Sequence, residues 1–407
     1  MRILHTCATY WPRVDGVAIA MQRISEGLAA RGHRVTVATG VAGPGAAAEH
    51  AGVRIERFDV AGNEMLGFGG DGRAYAEFVS RFDGDVLLDY AAQTWATDLV
   101  FPLLPQLGCK KVFVPCGYSE LSAPAYSSYF SRLPARLRQY DRVVHLSACY
   151  RDKEFSDAHG LTNGVVIGNG AATEEFESAR SGFRELYGFV EQRLFICVAN
   201  LMTAKGQRLV YDAFVRSGVR HAALVFVGSE INRYVTGELR TSPGALYTMR
   251  RRANILRYEL FESRVAGRGR QLSLPSPRGT RVVVLTGVPR ELVVAAYHQA
   301  DLFLFGSLVE CAPLVILEAM ASGTPWVSTP VGNVPELPGG VVIRDAAAMA
   351  AAIRRLASRG PEWESLASQG RAAWHESFTW DYVVGAYEQL YAGLLEPRTH
   401  LGGHDAV

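Results

Sequence analysis

Short β-branched runs alternate with amphipathic helical stretches along nearly the whole chain, and the alternation comes in two successive series. In the first, RILHT at 2–6, RVTVAT at 34–39, residues 53–58, DVLLDY at 85–90, and residues 110–115, 141–147 and 164–168 read as strands. Between the first two, a helix is expected from about 17 to 31, with Ile24 and Leu28 on one face and Gly32 as its stop. The second series runs RLFICVA from 193, a helix at 205–216, ALVFVG at 223–228, RVVVLTG at 281–287, a helix at 290–299, DLFLFGS at 301–307, a helix at 313–321 and WVST at 326–329. Three helical patterns follow, the last at 380–395, before a frayed HLGGHDAV. Strands that are apolar throughout are buried on both faces, which requires helices above and below a parallel sheet. Two such series predict two α/β domains: residues 1–180 and 181–378, with a boundary in the stretch 175–192 and a terminal helical segment over 379–407.

A chain of 407 residues is long enough for two cores, and 48% hydrophobic with 20% charged residues is globular composition. The formal net charge of +2 points to no partner. Six cysteines without close pairs fit neither a zinc site nor a disulfide framework, so reduced thiols in a cytoplasmic protein are expected. The opening MRILHTCATYWP lacks the basic region and apolar core of a signal peptide. No apolar run approaches the roughly 20 residues of a membrane helix, so membrane contact is expected to be peripheral.

The segment 301–343 carries the most chemistry. Glu310 and Glu318 stand eight apart, with Pro313 placed to open a helix. The first amides of that helix, near Leu314 and Val315, have no partners within it and attract phosphate or sugar oxygens. Spacing alone leaves two readings open: a pair of ligand-binding carboxylates, or a capping Glu310 and a solvated Glu318. Asp83-Gly84-Asp85 has the form of a metal-binding Asp-x-Asp, but it precedes a strand and Asp-Gly forms turns, so the turn is expected. His5 and His145 lie in apolar strands and are expected to be core histidines, with a site position open for His5. No G-x-G-x-x-G follows the first strand, which excludes the dinucleotide-binding pattern.

Ser307, Glu310, Glu318, Ala319, Met320, Ala321, Gly323 and Pro325 together resemble the signature of the retaining glycosyltransferase family 4, whose members share the GT-B fold. The resemblance implies two Rossmann-like domains facing each other across a donor-binding cleft. It implies contact of Glu310 with the donor sugar and of Glu318 with the nucleotide ribose. Residues 10–40 resemble the family's N-terminal pattern, with Asp15-Gly16 where a Gly-Gly turn is usual. Lys205-Gly206 resembles the family's Arg-x4-Lys-Gly, with Asn200 at the arginine position. One of two diphosphate-binding cations is thus replaced. The implied donor is a nucleoside-diphosphate sugar, in particular a UDP-sugar, its diphosphate between Gly16 and Lys205 and its uracil near Gly287-Val288. Asn169-Gly170 resembles the stretch closing the first domain, and Trp380 the start of a terminal helix that crosses back to it. Cys116-Gly117 stands where many members have His-Gly, so no protein base is implied there; the donor's own phosphate takes the acceptor proton, without cofactor or metal. Acceptor-facing residues are expected around 62–75 and 116–135, including Tyr118, Tyr126 and Tyr129. A nucleotide-sugar epimerase or phosphorylase on the same scaffold, and a catalytically silent binding partner, are the rival readings.

Residues 230–281 carry eleven arginines, no lysine and four glutamates. Leu246, Met249, Ala253, Leu256 and Leu260 form one helical stripe, and Arg250, Arg257 and Arg264 recur every seven residues. The segment reads either as a solvated helix on the second domain or as a surface for an anionic acceptor, a lipid headgroup or another polyanion. Acceptor identity and oligomeric state are not legible.

Overall fold

A computed structural model describes residues 1–43, 47–239, 263–264 and 269–396 of the chain. The chain divides into two compact units, one built from Met1–Gly168 and the chain from Trp380 onward, the other from Asn169–Thr379.

In the first unit the apolar runs become β1 (Arg2–Thr6), β2 (Arg34–Gly40), β3 (Glu49–His50), β4 (Val53–Phe58), β7 (Val86–Tyr90), β8 (Lys110–Val114), β9 (Arg142–His145) and β10 (Gly164–Val166). They form one sheet in the order β10-β9-β8-β7-β1-β2-β4-β3, parallel except for the β3–β4 edge. A hairpin of β5 (Val60–Asn63) and β6 (Gly67–Gly70) stands apart from it. Asp15 caps the helix Gly16–Ala30 by accepting from the Ala18 amide at 3.0 Å. That helix buries Met21, Ile24 and Leu28, and Gly32 follows it in the left-handed conformation.

The helix Trp380–Leu395 belongs to this first unit because Gly27 lets it approach closely. A Cβ at Gly27 would meet Val384 Cγ2 at 2.5 Å. The contact is flanked by charge: Arg31 donates to Glu388 at 2.8 Å and to Asp381 at 2.6 Å, and His33 meets Glu388 at 2.8 Å. At its centre His5 is fully buried, with Nδ1 on Ser25 Oγ at 2.8 Å and Nε2 on Tyr391 Oη at 3.2 Å. The imidazole thus ties β1 to both helices and is a core residue.

The second unit repeats the layout. Its sheet runs β13 (Ser263–Arg264), β14 (Arg270–Leu274), β15 (Thr280–Thr286), β12 (Ala222–Gly228), β11 (Arg193–Val198), β16 (Leu302–Phe305), β17 (Trp326–Ser328), β18 (Gly340–Val342). Alternation along β11 divides the core between its faces: Leu194 and Ile196 join one apolar cluster, Phe195 and Cys197 the other. Such two-sided burial is what the continuous apolar runs required.

Two expectations need correction. The boundary falls at Gly168–Asn169 rather than near 180, because residues just beyond it are fastened into the second unit. Ala171 donates its amide to Phe378, its carbonyl accepts from Trp374 Nε1 at 3.2 Å, and Phe176 is wholly buried in that unit's core. Nor is the arginine-rich segment a solvated helix throughout, since Arg270–Leu274 is a strand that pairs antiparallel with β15 and buries Leu272 and Leu274. Its apolar stripe, with Arg250 and Arg257, lies outside the described residues, and Arg264 sits in β13 opposite Arg270. Among the described residues no helix is long and apolar enough to cross a membrane, and all six cysteines are free thiols.

Burial lowers the His5 pKa from 6.5 to about 3. A depressed histidine pKa contributes stability that is complete above the unfolded value and lost as pH falls towards the folded one. The unfolding free energy of the wild type minus that of His5→Gln should therefore rise by at least about 2 kcal/mol from pH 4 to pH 7. Urea titrations at each pH measure it, and a pH-independent difference would show that His5 does not carry this linkage.

Candidate active site

Strand order in the second sheet reverses between β11 and β16: the chain proceeds from β11 to β12 and β15 on one side, and through β16, β17 and β18 on the other. In such sheets the crevice beyond the carboxyl ends of the two central strands is where ligands bind. The loops leaving β11 and β16 carry Lys205 and Glu310.

Two glycines bring these loops together. Gly206, in the left-handed conformation, lies so close to Gly306 that a Cβ would fall 1.8 Å from the Gly306 carbonyl oxygen. In return, a Cβ on Gly306 would fall 2.5 Å from the Gly206 oxygen. The Leu308 amide donates to Ala204 at 2.8 Å. Held this way, Lys205 Nζ lies 2.6 Å from Glu310 Oε1, both groups partly exposed. Ser307, fully buried, donates its hydroxyl to the same oxygen at 2.7 Å and has its own carbonyl held by Thr329 Oγ1 at 2.5 Å.

Behind Glu310 the backbone is pinned twice. Gly332 is left-handed, and a Cβ there would fall 2.1 Å from the Cys311 oxygen. Asn169, nearly buried, donates Nδ2 to the Ala312 oxygen at 3.0 Å. The helix Leu314–Ser322 then begins after Pro313 without a side-chain cap. Its first amides, at Leu314 and Val315, are the ones a helix leaves unpaired, and they adjoin the Glu310 loop. One turn on, Glu318 Oε1 receives Arg290 Nη2 at 2.6 Å, and Arg290 also pairs with Glu175 at 2.5 Å. Glu318 is thus neither free nor simply solvated. Burial first and the Glu318 charge second push the neighbouring Tyr297 phenol well above its ordinary range.

Other expected residues separate by location. Asn200 is exposed; its carbonyl accepts from Gln207 Nε2 at 2.8 Å, and its side chain makes no hydrogen bond among the described residues. Val288 is partly exposed at the end of β15, beside left-handed Gly287. In the first unit the Asp15 carboxylate is occupied as a helix cap, whereas Gly16 is exposed, with nothing within 4 Å of where a Cβ would stand. Tyr118 and Tyr129 are core residues rather than acceptor-facing ones, both fully buried, with Tyr129 donating to Asp98 at 2.9 Å. Tyr126, partly exposed, accepts from Asn63 Nδ2 at 3.1 Å. Burial raises the Cys116 thiol to about 12, which disfavours the thiolate a nucleophile needs. His145 is buried 3.6 Å from Asp152, but neither ring nitrogen has a hydrogen bond among the described residues, so it is a core histidine without being a satisfied one. Asp83 and Asp85 bind Arg2 through its side chain at 3.0 Å and its amide at 2.6 Å, which is the turn reading. Among the described residues no group of three or more His, Cys, Asp or Glu is placed to hold a metal ion.

A family model described as glycosyl transferases group 1 matches residues 233–359, and one described as a glycosyl transferase 4-like domain matches residues 15–170. Together they span well over half of the chain. The chain is a group 1 glycosyltransferase. Sucrose-phosphate synthase from Thermosynechococcus elongatus superposes with a TM-score of 0.71 at 18% identity, over 97% of this chain and 98% of that one. HepE from Anabaena, solved with UDP and glucose, gives 0.68 at 16% identity over 97% and 100%. A glycosyltransferase from Rickettsia africae gives 0.69 at 15% over 97% and 98%. At these identities the likeness establishes the fold, which is GT-B. No curated protein matches the sequence.

Within this glycosyltransferase, sequence reasoning missed Arg290, Asn169 and Gly332. Arg290 sits 28 residues before its Glu318 partner, beyond the reach of any local pattern. Asn169 was legible only as part of the stretch that resembles the close of the first domain.

The glycine contact yields a sharp expectation. Gly206→Ala should destabilise the protein by about 3 kcal/mol or more, combining left-handed strain with steric overlap. Gly16→Ala should cost less than about 0.5 kcal/mol, because its surroundings are open. Chemical denaturation of the two variants tests this, and equal small losses would refute the close approach.

Proposed function

We propose that this glycosyltransferase takes its sugar from a UDP-sugar, retains the anomeric configuration and requires no metal. The Lys205–Glu310 pair at 2.6 Å, beside an uncapped helix start at the strand-order reversal, carries the reading. Lys205 supplies positive charge for the leaving diphosphate, where charge develops in the transition state. The amides of Leu314 and Val315 add donors that need no reorganisation. Glu310 accepts from sugar hydroxyls. Glu318, oriented by Arg290, accepts from the ribose, and the uracil lies along Gly287-Val288. The acceptor oxygen bonds to C1 as the C1–O bond to phosphate breaks, and the acceptor proton passes to the departing phosphate oxygen on the same face. UDP and glucose bound by HepE, a protein of the same fold, support the donor class. Free thiols throughout support a cytoplasmic setting.

Titrating UDP and following UDP release from UDP-glucose test these roles. Glu318→Ala should weaken UDP binding about tenfold or more, the loss of one charged hydrogen bond. Glu310→Ala should mainly lower kcat. Unchanged kinetics in both variants would remove the site from this crevice.

Metal independence is tested separately. Turnover should persist after exhaustive chelation with EDTA, and activity abolished by EDTA and restored by manganese would overturn it.

A further inference from the structure

At the carboxyl edge of the first sheet, a cavity of about 250 Å³ opens over the ends of β1, β2 and β4, with Thr9, Arg13, Gly40, Arg57 and Asp59 in its walls. Arg57 projects from β4 and is partly buried. A guanidinium has five N–H donors. Here Nη2 donates to the Trp11 carbonyl at 2.9 Å and Nη1 reaches the Gly40 carbonyl at 3.5 Å, while Nε is buried with no acceptor among the described residues. No described carboxylate lies within 4.0 Å of it, and burial lowers its pKa. Arg13, exposed on the same wall, has no carboxylate partner among the described residues either.

A half-buried cation held only by carbonyl oxygens is costly, because neutral dipoles offset its desolvation less well than a counter-ion does. A guanidinium also presents paired donors in the geometry of an oxyanion. The Asp59 carboxylate lines the same cavity without pairing to either arginine, so it remains an acceptor for hydroxyl groups. One cation tied to loop carbonyls, a second exposed cation and one separate acceptor specify a ligand that is anionic at one end and hydroxylated at the other.

We propose that Arg57 and Arg13 bind a phosphate or carboxylate group of a hydroxylated acceptor, whose hydroxyls Asp59 orients. This rests on the transferase reading only in naming the ligand as acceptor; the anion site itself stands on the first unit alone.

The test uses the full chain with inorganic phosphate and acetate as probes, and chloride at equal ionic strength as the control. Apparent Kd values come from the rise in melting temperature over a concentration series. One oxyanion should stabilise the protein beyond chloride, and whether phosphate or acetate does so identifies the group. Arg57→Gln should weaken that response at least about tenfold, as expected for lost charge-assisted hydrogen bonds. Because Arg57 also ties two loop carbonyls, Arg13→Gln serves as the second variant: its side chain is exposed, and it should lose about threefold or more. Oxyanion responses equal to chloride, or unchanged in both variants, overturn the proposal. UDP titrated into the same samples separates the two readings. Arg57-dependent phosphate or acetate binding without UDP binding would sink the donor assignment and leave this site standing. UDP binding with an unaltered oxyanion response would do the reverse.

Discussion

The backbone contact between Gly206 and Gly306 is the constraint on which the candidate crevice of the second unit depends. Neither position has room for a side-chain carbon, so the loops leaving β11 and β16 meet main chain to main chain. That closeness places Lys205, adjacent to the contact in one loop, beside Glu310, four residues beyond it in the other. A long lysine side chain loses considerable rotamer freedom when fixed, up to about 2 kcal/mol. Buried Ser307 and its brace from Thr329 fix the carboxylate that receives it. The order of causes runs from sheet topology, through two glycines, to one ion pair.

The two units share a plan but differ in electrostatics. In the second, charges near the crevice are paired: Lys205 with Glu310, and Arg290 with Glu318 and Glu175. In the first, the sheet centre holds a buried carboxylate, Asp89, kept by Thr6 and Tyr140 and pushed up to about 7 by burial. Its edge holds the arginine without a counter-ion. Ion pairs fix side-chain positions before a ligand arrives, whereas a cation without a carboxylate partner selects for ligand charge. On the roles proposed, this matches a donor of constant chemistry on one unit and a discriminating acceptor site on the other.

Much of this was legible because parallel strands buried on both faces are mostly apolar: β16 is LFLF throughout, and β7 and β11 carry one charged residue each, Asp89 and Arg193. The antiparallel strand β14 was not, since RQLSL alternates, is short and lies among arginines. The unit boundary was missed because Asn169 is held by Ala312, 143 positions away, and Ala171 by Phe378 and Trp374, 207 and 203 positions away, which no local pattern encodes. Tyr118 and Tyr129 looked like loop aromatics, yet Asp98 gives Tyr129 a buried acceptor that only the fold can supply. Glu310 and Glu318 were found by their spacing in a motif. Their partners differ in kind: Lys205 belonged to a motif of its own, while Arg290 did not.

On the roles proposed, the asparagine at position 200 changes what Lys205 must do. With Asn200 neutral and exposed, and Arg290 already engaged by two carboxylates, Lys205 is the positive side chain that the described part of this crevice presents. It is held by Glu310 before any donor is bound, so the pair contributes little net field. A diphosphate carries more negative charge than one carboxylate, and in a partly desolvated crevice it attracts the lysine more strongly. If Lys205 turned to the phosphate, Glu310 would lose its cation and keep the Ser307 hydroxyl. A carboxylate in that state seeks further donors, and the hydroxyls of the sugar attached to that diphosphate supply them. On that proposal the one ion pair serves as a resting state for both groups, and donor binding would exchange it for two contacts on a single ligand. A free sugar offers hydroxyls without the charge needed to move Lys205, and a bare diphosphate leaves Glu310 with no sugar to hold.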